Sequence, residues 1–147
     1  MIALLDVNVL VALFDGAHVH HEHAHRWLDE HKEAGWATCP ITENGLVRVV
    51  SNPSYPGRRT TVEDACDRLK RFLSSGGHSF WPDDVSLADP SVFRHRRIGG
   101  PARITDAYLL ALAIGHRGRL VTFDRKLATG PVAGARSEHV VVIPAGT

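Results

Sequence analysis

The chain alternates short runs of apolar residues with longer stretches in which apolar positions recur every three or four residues. IALLD at 2–6 predicts a strand, and VNVLVALF, directly after it, a helix. A longer helical pattern covers about 20–34 and stops at Gly35, and WATC at 36–39 predicts a second strand. Pro40 opens a helix that runs to about 50 and ends before Asn52-Pro53. Thr60 with Glu63 fits a capping box for a helix through Leu73, closed by Ser-Ser-Gly-Gly at 74–77, with HSFW at 78–81 as the third strand. Residues 82–104 predict loops around one short helix near 91–95. Thr105 is placed to cap a helix over 106–116, with Ile104 and Leu109 as its hydrophobic staple and Gly118 as its stop. LVTF at 120–123, a turn of helix at 124–128 and HVVVIP at 139–144 complete the series.

Five short apolar strands separated by helices, with neither repeat nor linker, predict one domain over 1–147 of α/β class. The expected architecture is a three-layer α/β/α sandwich around a central, mostly parallel sheet of four to five strands. A length of 147 residues with 44% hydrophobic and 22% charged residues fits one soluble core. The opening run is too short for a membrane span and lacks the marks of a secretory signal, so a cytoplasmic protein without a membrane partner is expected. Cys39 and Cys66 are then reduced, buried, small apolar residues. Trp36, Trp81 and Phe80 read as core rather than as stacking platforms for bases.

Against this background four acids stand out, because a buried ionised carboxylate needs compensation. Asp6 ends the first strand inside an apolar stretch. Glu43 and Asp106 each open a helix on the same stripe as apolar residues, Leu46, Val47 and Val50 for the first and Leu109, Leu110 and Ala113 for the second. Asp124 follows the fourth strand. Each also has a structural role open to it, since acids favour first helical turns and N-caps, Asp6 before Val7 included. Chemistry in such sheets gathers beyond the carboxyl ends of the strands. Four carboxylates projecting into one partly buried space would oppose each other's ionisation unless a cation lay among them. An all-oxygen donor set suits Mg²⁺ or Mn²⁺.

Formal net charge is +1, but with four acids drawn into one site the remainder holds twelve acids against seventeen bases. That bias suits a polyanionic substrate. Arg58, Arg59, Arg94, Arg96, Arg97 and Arg103 are candidates for contact with a phosphate backbone, which gives affinity rather than sequence choice. The segment AHVHHEHAHRW at 17–27 carries His18, His20, His21, His23 and His25. A zinc site through His21 and His25 is conceivable, but without cysteine a hydrated helix face is the expectation.

The segments LLDVNVLVALF, ITENGLVRVVSNP, RITDAYLLALA and RLVTFDRKL, in that order, resemble those of the PIN-domain ribonucleases, in particular the VapC-type toxins of bacterial toxin–antitoxin pairs. The resemblance implies that Asp6, Glu43, Asp106 and Asp124 form an acidic, metal-holding catalytic quartet, with Asn8 and Thr122 as supporting groups. It further implies an endoribonuclease that uses Mg²⁺ or Mn²⁺ to hydrolyse structured RNA such as tRNA or rRNA, leaving 5′-phosphate and 3′-hydroxyl ends. A homodimer and a cognate VapB-type antitoxin follow from the same likeness. Two other readings stay open. A phosphohydrolase of haloacid dehalogenase type also starts from an aspartate after its first strand, although Asn8 stands where that class resembles a second carboxylate. The other is a PIN-like binding module without catalysis, against which the intact quartet argues.

Overall fold

In the computed structural model, which describes residues 1–145, the elements are β1 (Ala3–Leu5), α1 (Val7–Phe14), α2 (His21–His31), β2 (Trp36–Thr38), α3 (Pro40–Ser51), α4 (Val62–Leu73), β3 (His78–Phe80), α5 (Ile104–Gly115), β4 (Arg119–Thr122) and β5 (Val140–Val142). The five strands form one sheet in the order β3-β2-β1-β4-β5, and every pairing is parallel. The chain builds the sheet outward from β1 through β2 to β3, then returns to lay β4 on the other side of β1. The direction of growth therefore reverses between β1 and β4.

Period-two alternation divides each central strand between two cores. Ala3, Leu5, Trp36 and Val121 face α1–α4, where they meet Leu10, Trp27, Leu46, Val50 and Leu69. Leu4, Ala37 and Leu120 face α5 and the segment before it, packing on Leu109, Leu110, Trp81 and Phe93. The result is the expected three-layer sandwich, with four helices on one face and one on the other. Gly45 lets α3 lie directly on the start of α1, since a Cβ there would come within 2.6 Å of Val7 Cγ2. That packing sets Glu43 beside the helix that Asp6 begins.

Several local expectations are corrected. The cap of α4 is Thr61, whose Oγ1 accepts the Asp64 N–H at 3.1 Å, because the helix starts at Val62 and Thr60 stands one residue too early. Thr61→Ala is expected to cost about 1 kcal/mol in urea unfolding, and Thr60→Ala next to nothing. Helix α5 starts at Ile104 rather than Asp106, continuing a 3₁₀ turn at Pro101–Arg103, so Thr105 lies inside it and forms no cap, and Ile104 is 38% exposed. Its end is closed by Arg117 N–H on the Ile114 carbonyl and Gly118 N–H on that of Ala113, with Arg117 at φ +58°.

The helix expected near 91–95 is a turn braced by Asp89, which accepts from Ser91, and buried Phe93 bridges Val132 in antiparallel fashion. A single 3₁₀ turn, His95–Arg97, follows. No helix forms over 124–128; Asp124 Oδ1 takes the Lys126 N–H in a turn instead. Phe80 is 53% exposed because it ends the edge strand β3, whereas Trp36 and Trp81 are buried as expected. Cys39 is buried, but Cys66 of α4 is exposed. No helix among the described residues is long and apolar enough to cross a membrane.

The histidine-rich segment is not a hydrated face. His18, His20, His21, His23 and His25 are all half-buried. Ring nitrogens of His21 and His25 lie 2.7 and 3.2 Å from the carbonyl oxygens of Ala12 and Leu13, in the last turn of α1. Those carbonyls have no partner within their own helix, and the imidazoles satisfy them. No three His, Cys, Asp or Glu side chains among the described residues are grouped so as to hold a metal ion, here or elsewhere.

Candidate active site

Asp6 stands between β1 and α1 and does two things at once. Its backbone N–H donates to Val121 on β4, and its Oδ1 accepts the Val7 N–H at 2.7 Å, so it is also the N-cap of α1. Its other oxygen, Oδ2, accepts from the Thr122 hydroxyl at 2.8 Å. These bonds favour the carboxylate, yet burial outweighs them. The side chain is 7% exposed, and desolvation, with a further contribution from Asp106 and Asp124, pushes its pKa up to about 6. Asp106 is also raised, by burial first and by Asp124 next, with Arg103 acting in the opposite sense.

Three of the four expected acids thus share one field at the gap where the sheet reverses direction, the place where α/β sheets bind ligands. Arg103 bridges two of them, with Nη1 3.7 Å from Asp106 Oδ2 and 3.3 Å from Asp124 Oδ2. Glu43 has different partners. Its Oε2 accepts from Thr38 Oγ1 at 2.6 Å, and the same hydroxyl lies 2.7 Å from His78 Nε2. Since that hydroxyl has one proton and gives it to Glu43, His78 must donate through Nε2, which fixes its neutral tautomer. Burial lowers the His78 pKa in the same direction, and Glu43 works against it.

Asn8 and Thr122 join α1 to β4. Asn8 Nδ2 donates to Thr122 Oγ1 at 3.1 Å, and Asn8 Oδ1 accepts the Phe123 N–H at 3.1 Å. Thr122 Oγ1 also accepts the Asp124 N–H at 3.1 Å. One hydroxyl therefore fixes Asp6 and the backbone of Asp124 together. Thr38, His78 and Arg103 as a bridge are the contributors that the sequence pattern missed. Thr38 and His78 sit at strand positions that carry no acid, and the pairing of Arg103 with Asp124 spans 21 residues.

The donor set fits a hard divalent ion: oxygen ligands, like charges side by side, and a carboxylate too buried to ionise easily without a cation. The side-chain positions seen here do not themselves close around one. Asp6, Asp106 and Asp124 are the residues that would hold it, whereas Glu43 is bonded to Thr38 instead.

A parallel α/β/α sandwich with acids at the reversal between β1 and β4 is PIN-like. The chain belongs to the PIN-domain family, whose profile matches residues 3–130, and to its VapC-type branch. "Ribonuclease VapC44" of Mycobacterium tuberculosis is 48% identical over 143 residues, covering 97% of this chain and 100% of that protein. "Ribonuclease VapC39" of the same species is 48% identical over 134 residues, 91% of this chain and 96% of the relative. Among solved structures, a toxin-antitoxin complex from Klebsiella pneumoniae superposes with a TM-score of 0.62 at 24% identity, over 95% of this chain and 96% of the other. VapBC2 from Rickettsia felis, bound to a DNA fragment from its promoter, gives 0.63 at 17% identity over 97% of each. At those identities the two structures speak for the fold.

Proposed function

We propose that this protein is a metal-dependent endoribonuclease that hydrolyses phosphodiester bonds in structured RNA such as tRNA or rRNA, works as a homodimer, and is neutralised by a cognate antitoxin. The relatives' name, ribonuclease, supports the reaction, and the toxin–antitoxin complexes among its structural neighbours support the partner. The observation that carries the reading is the state of Asp6, a buried carboxylate made hard to ionise and set beside two further acids. Bound among these acids, Mg²⁺ or Mn²⁺ supplies Lewis acidity toward the phosphodiester and toward water.

The chain's own residues do the rest. Thr122 holds Asp6 in one orientation and ties it to the Asp124 backbone, so these two residues keep a fixed relative placement. Asn8 fixes the turn after β4 through the Phe123 N–H. Arg103, 40% exposed in its side chain, is within reach of a phosphate once its bonds with Asp106 and Asp124 are released. Thr38 and His78 keep Glu43 in place at the start of α3.

The deciding assay compares total RNA with a small phosphate ester as substrates, each with Mg²⁺ or Mn²⁺ and with EDTA. RNA scission that needs the metal, with no ester turnover, is the expected result. Ester turnover would assign a phosphohydrolase, and neither activity a binding module.

A further inference from the structure

Two adjoining cavities lie on the α3–α4 side of the molecule. The first, of about 430 Å³, is lined by side chains of Arg58, Arg59, Arg68, Arg71, Asp64 and Asp67, with Thr60 and no apolar residue. It occupies the α4 face defined by residues 64, 67, 68 and 71, whereas Glu43 meets the face defined by Cys66, Leu69 and Leu73. None of Asp6, Glu43, Asp106 and Asp124 lines this cavity or its neighbour. The second, of about 440 Å³, shares Arg58, Thr60 and Arg68 with the first and adds Phe14, Val50, Tyr55 and Pro56.

Arg68 forms the fixed wall between them. It donates to the Phe14 carbonyl, and its guanidinium lies over the Phe14 ring at 5.1 Å. Tyr55 is likewise fixed by donating its hydroxyl to Asp15 at 2.6 Å, which leaves its ring as an apolar surface. Arg58, Arg59 and Arg71 are exposed, and among the described residues their side chains make no hydrogen bond or ion pair, although Asp64 and Asp67 line the same cavity. Three unspent guanidinium groups beside two free carboxylates pose a specific requirement. A bare anion would meet the aspartates as well as the arginines, so the ligand has to offer hydrogen-bond donors beside its negative charge. An RNA strand offers phosphates for guanidinium groups, 2′-hydroxyl donors for carboxylates, and an unstacked base for the apolar neighbour.

We propose that these paired cavities bind an unpaired nucleotide stretch of RNA, with Arg58, Arg59 and Arg71 on its phosphates and the cavity of Phe14, Tyr55 and Pro56 receiving a base. The identity of the ligand rests on the ribonuclease reading. This is a docking site remote from the acids, and it adds affinity for a large folded RNA without entering the bond cleavage.

The test is fluorescence anisotropy of the full-length protein with a labelled RNA hairpin carrying an unpaired loop, in EDTA so that cleavage plays no part. In the triple variant Arg58→Ala/Arg59→Ala/Arg71→Ala, Kd is expected to rise about tenfold or more. The slope of log affinity against log salt should fall by about two, at roughly 0.7–0.9 for each phosphate no longer neutralised. The substituted side chains are exposed and unpartnered, and circular dichroism checks that the variant is folded. Removing the loop bases from the RNA should weaken binding to the unmodified protein as well. Unchanged affinity and salt slope in the triple variant would overturn the proposal, as would equal affinity for DNA of the same sequence or full displacement of the RNA by polyglutamate. Because binding is read without turnover, a protein that holds RNA through these arginines yet cuts none refutes only the nuclease reading. Conversely, a triple variant that cleaves RNA with unaltered KM and binds it with unaltered affinity refutes only this one.

Discussion

Asp6→Asn is expected to lower metal-dependent RNA cleavage by about 10²–10³-fold while the protein stays folded, the size of loss seen when a preorganised electrostatic group is removed. The amide keeps the shape of the side chain and one carbonyl oxygen to accept the Val7 N–H, so the N-cap of α1 survives. What disappears is the negative charge and the second acceptor now used by Thr122. Asp106→Asn should produce a comparable loss, and the double variant little more than either single one, because groups that act on one charge do not contribute independently. Single-turnover cleavage of a purified RNA measures all three. An Asp6→Asn protein that cuts RNA at the normal rate would remove the basis for the proposed site.

The same residue sets a pH dependence of stability in the metal-free protein. Burial raises the Asp6 pKa to about 6, above the ordinary 3.8, so the folded chain holds this proton more tightly than the unfolded chain does. The stabilisation that this gives is complete below about pH 3.8 and is lost as pH rises through 6. At about 1.4 kcal/mol per pH unit, the total is about 3 kcal/mol. Asp106 works in the same direction, since its pKa is raised too. Urea unfolding in EDTA at pH 4.5 and 7.5 should therefore show the Asp6→Asn protein gaining on the unmodified one by about 2 kcal/mol, the share of that total which falls between these pH values. Adding Mn²⁺ at pH 7.5 should raise the Tm of the unmodified protein and leave that of Asp6→Asn nearly unmoved, because ligand binding stabilises only the state that binds. Parallel pH profiles for the two proteins would mean that Asp6 is not strained by its burial.

These two expectations share a cause that explains why the site was legible at all. A carboxylate among Leu4, Leu5 and Val9 breaks a burial pattern, and so does Asp106 before Leu109 and Leu110. Such breaks are visible wherever periodicity is strong, and they mark places where local stability has been given up for another purpose. Asp124 was visible for a different reason, as the first polar residue after a strand. Glu43 was equally visible, yet its actual partners, Thr38 and His78, are ordinary strand residues whose roles depend on β2 and β3 lying side by side.

The corrections fall where local rules allow more than one outcome. Thr60 and Thr61 both satisfy a capping preference, and the packing of Ala65 and Leu69 into the core fixes the phase of α4 and hence the choice. The histidines at 18–25 looked solvated because their segment is polar. Two of them, His21 and His25, are held against the carbonyl groups at the end of α1, which lack partners in their own helix and are covered when α2 folds back across α1. Phe80 and Cys66 looked internal by residue type and are exposed by position, one at the edge of the sheet and the other beside an open cavity between α3 and α4.

By itself the amino-acid order determined the kind of the main elements, the α/β class and the places where acids interrupt apolar patterns, because each follows from interactions or periodicities within a few residues along the chain. Tertiary structure alone decided the strand order β3-β2-β1-β4-β5, the joining of Asp6 to Thr122 across 116 positions, the bridging of Asp106 and Asp124 by Arg103, and the arginine-lined cavity beside α4. Those depend on which apolar faces cover one another in space, and side-chain periodicity states that a face exists without naming what will lie against it.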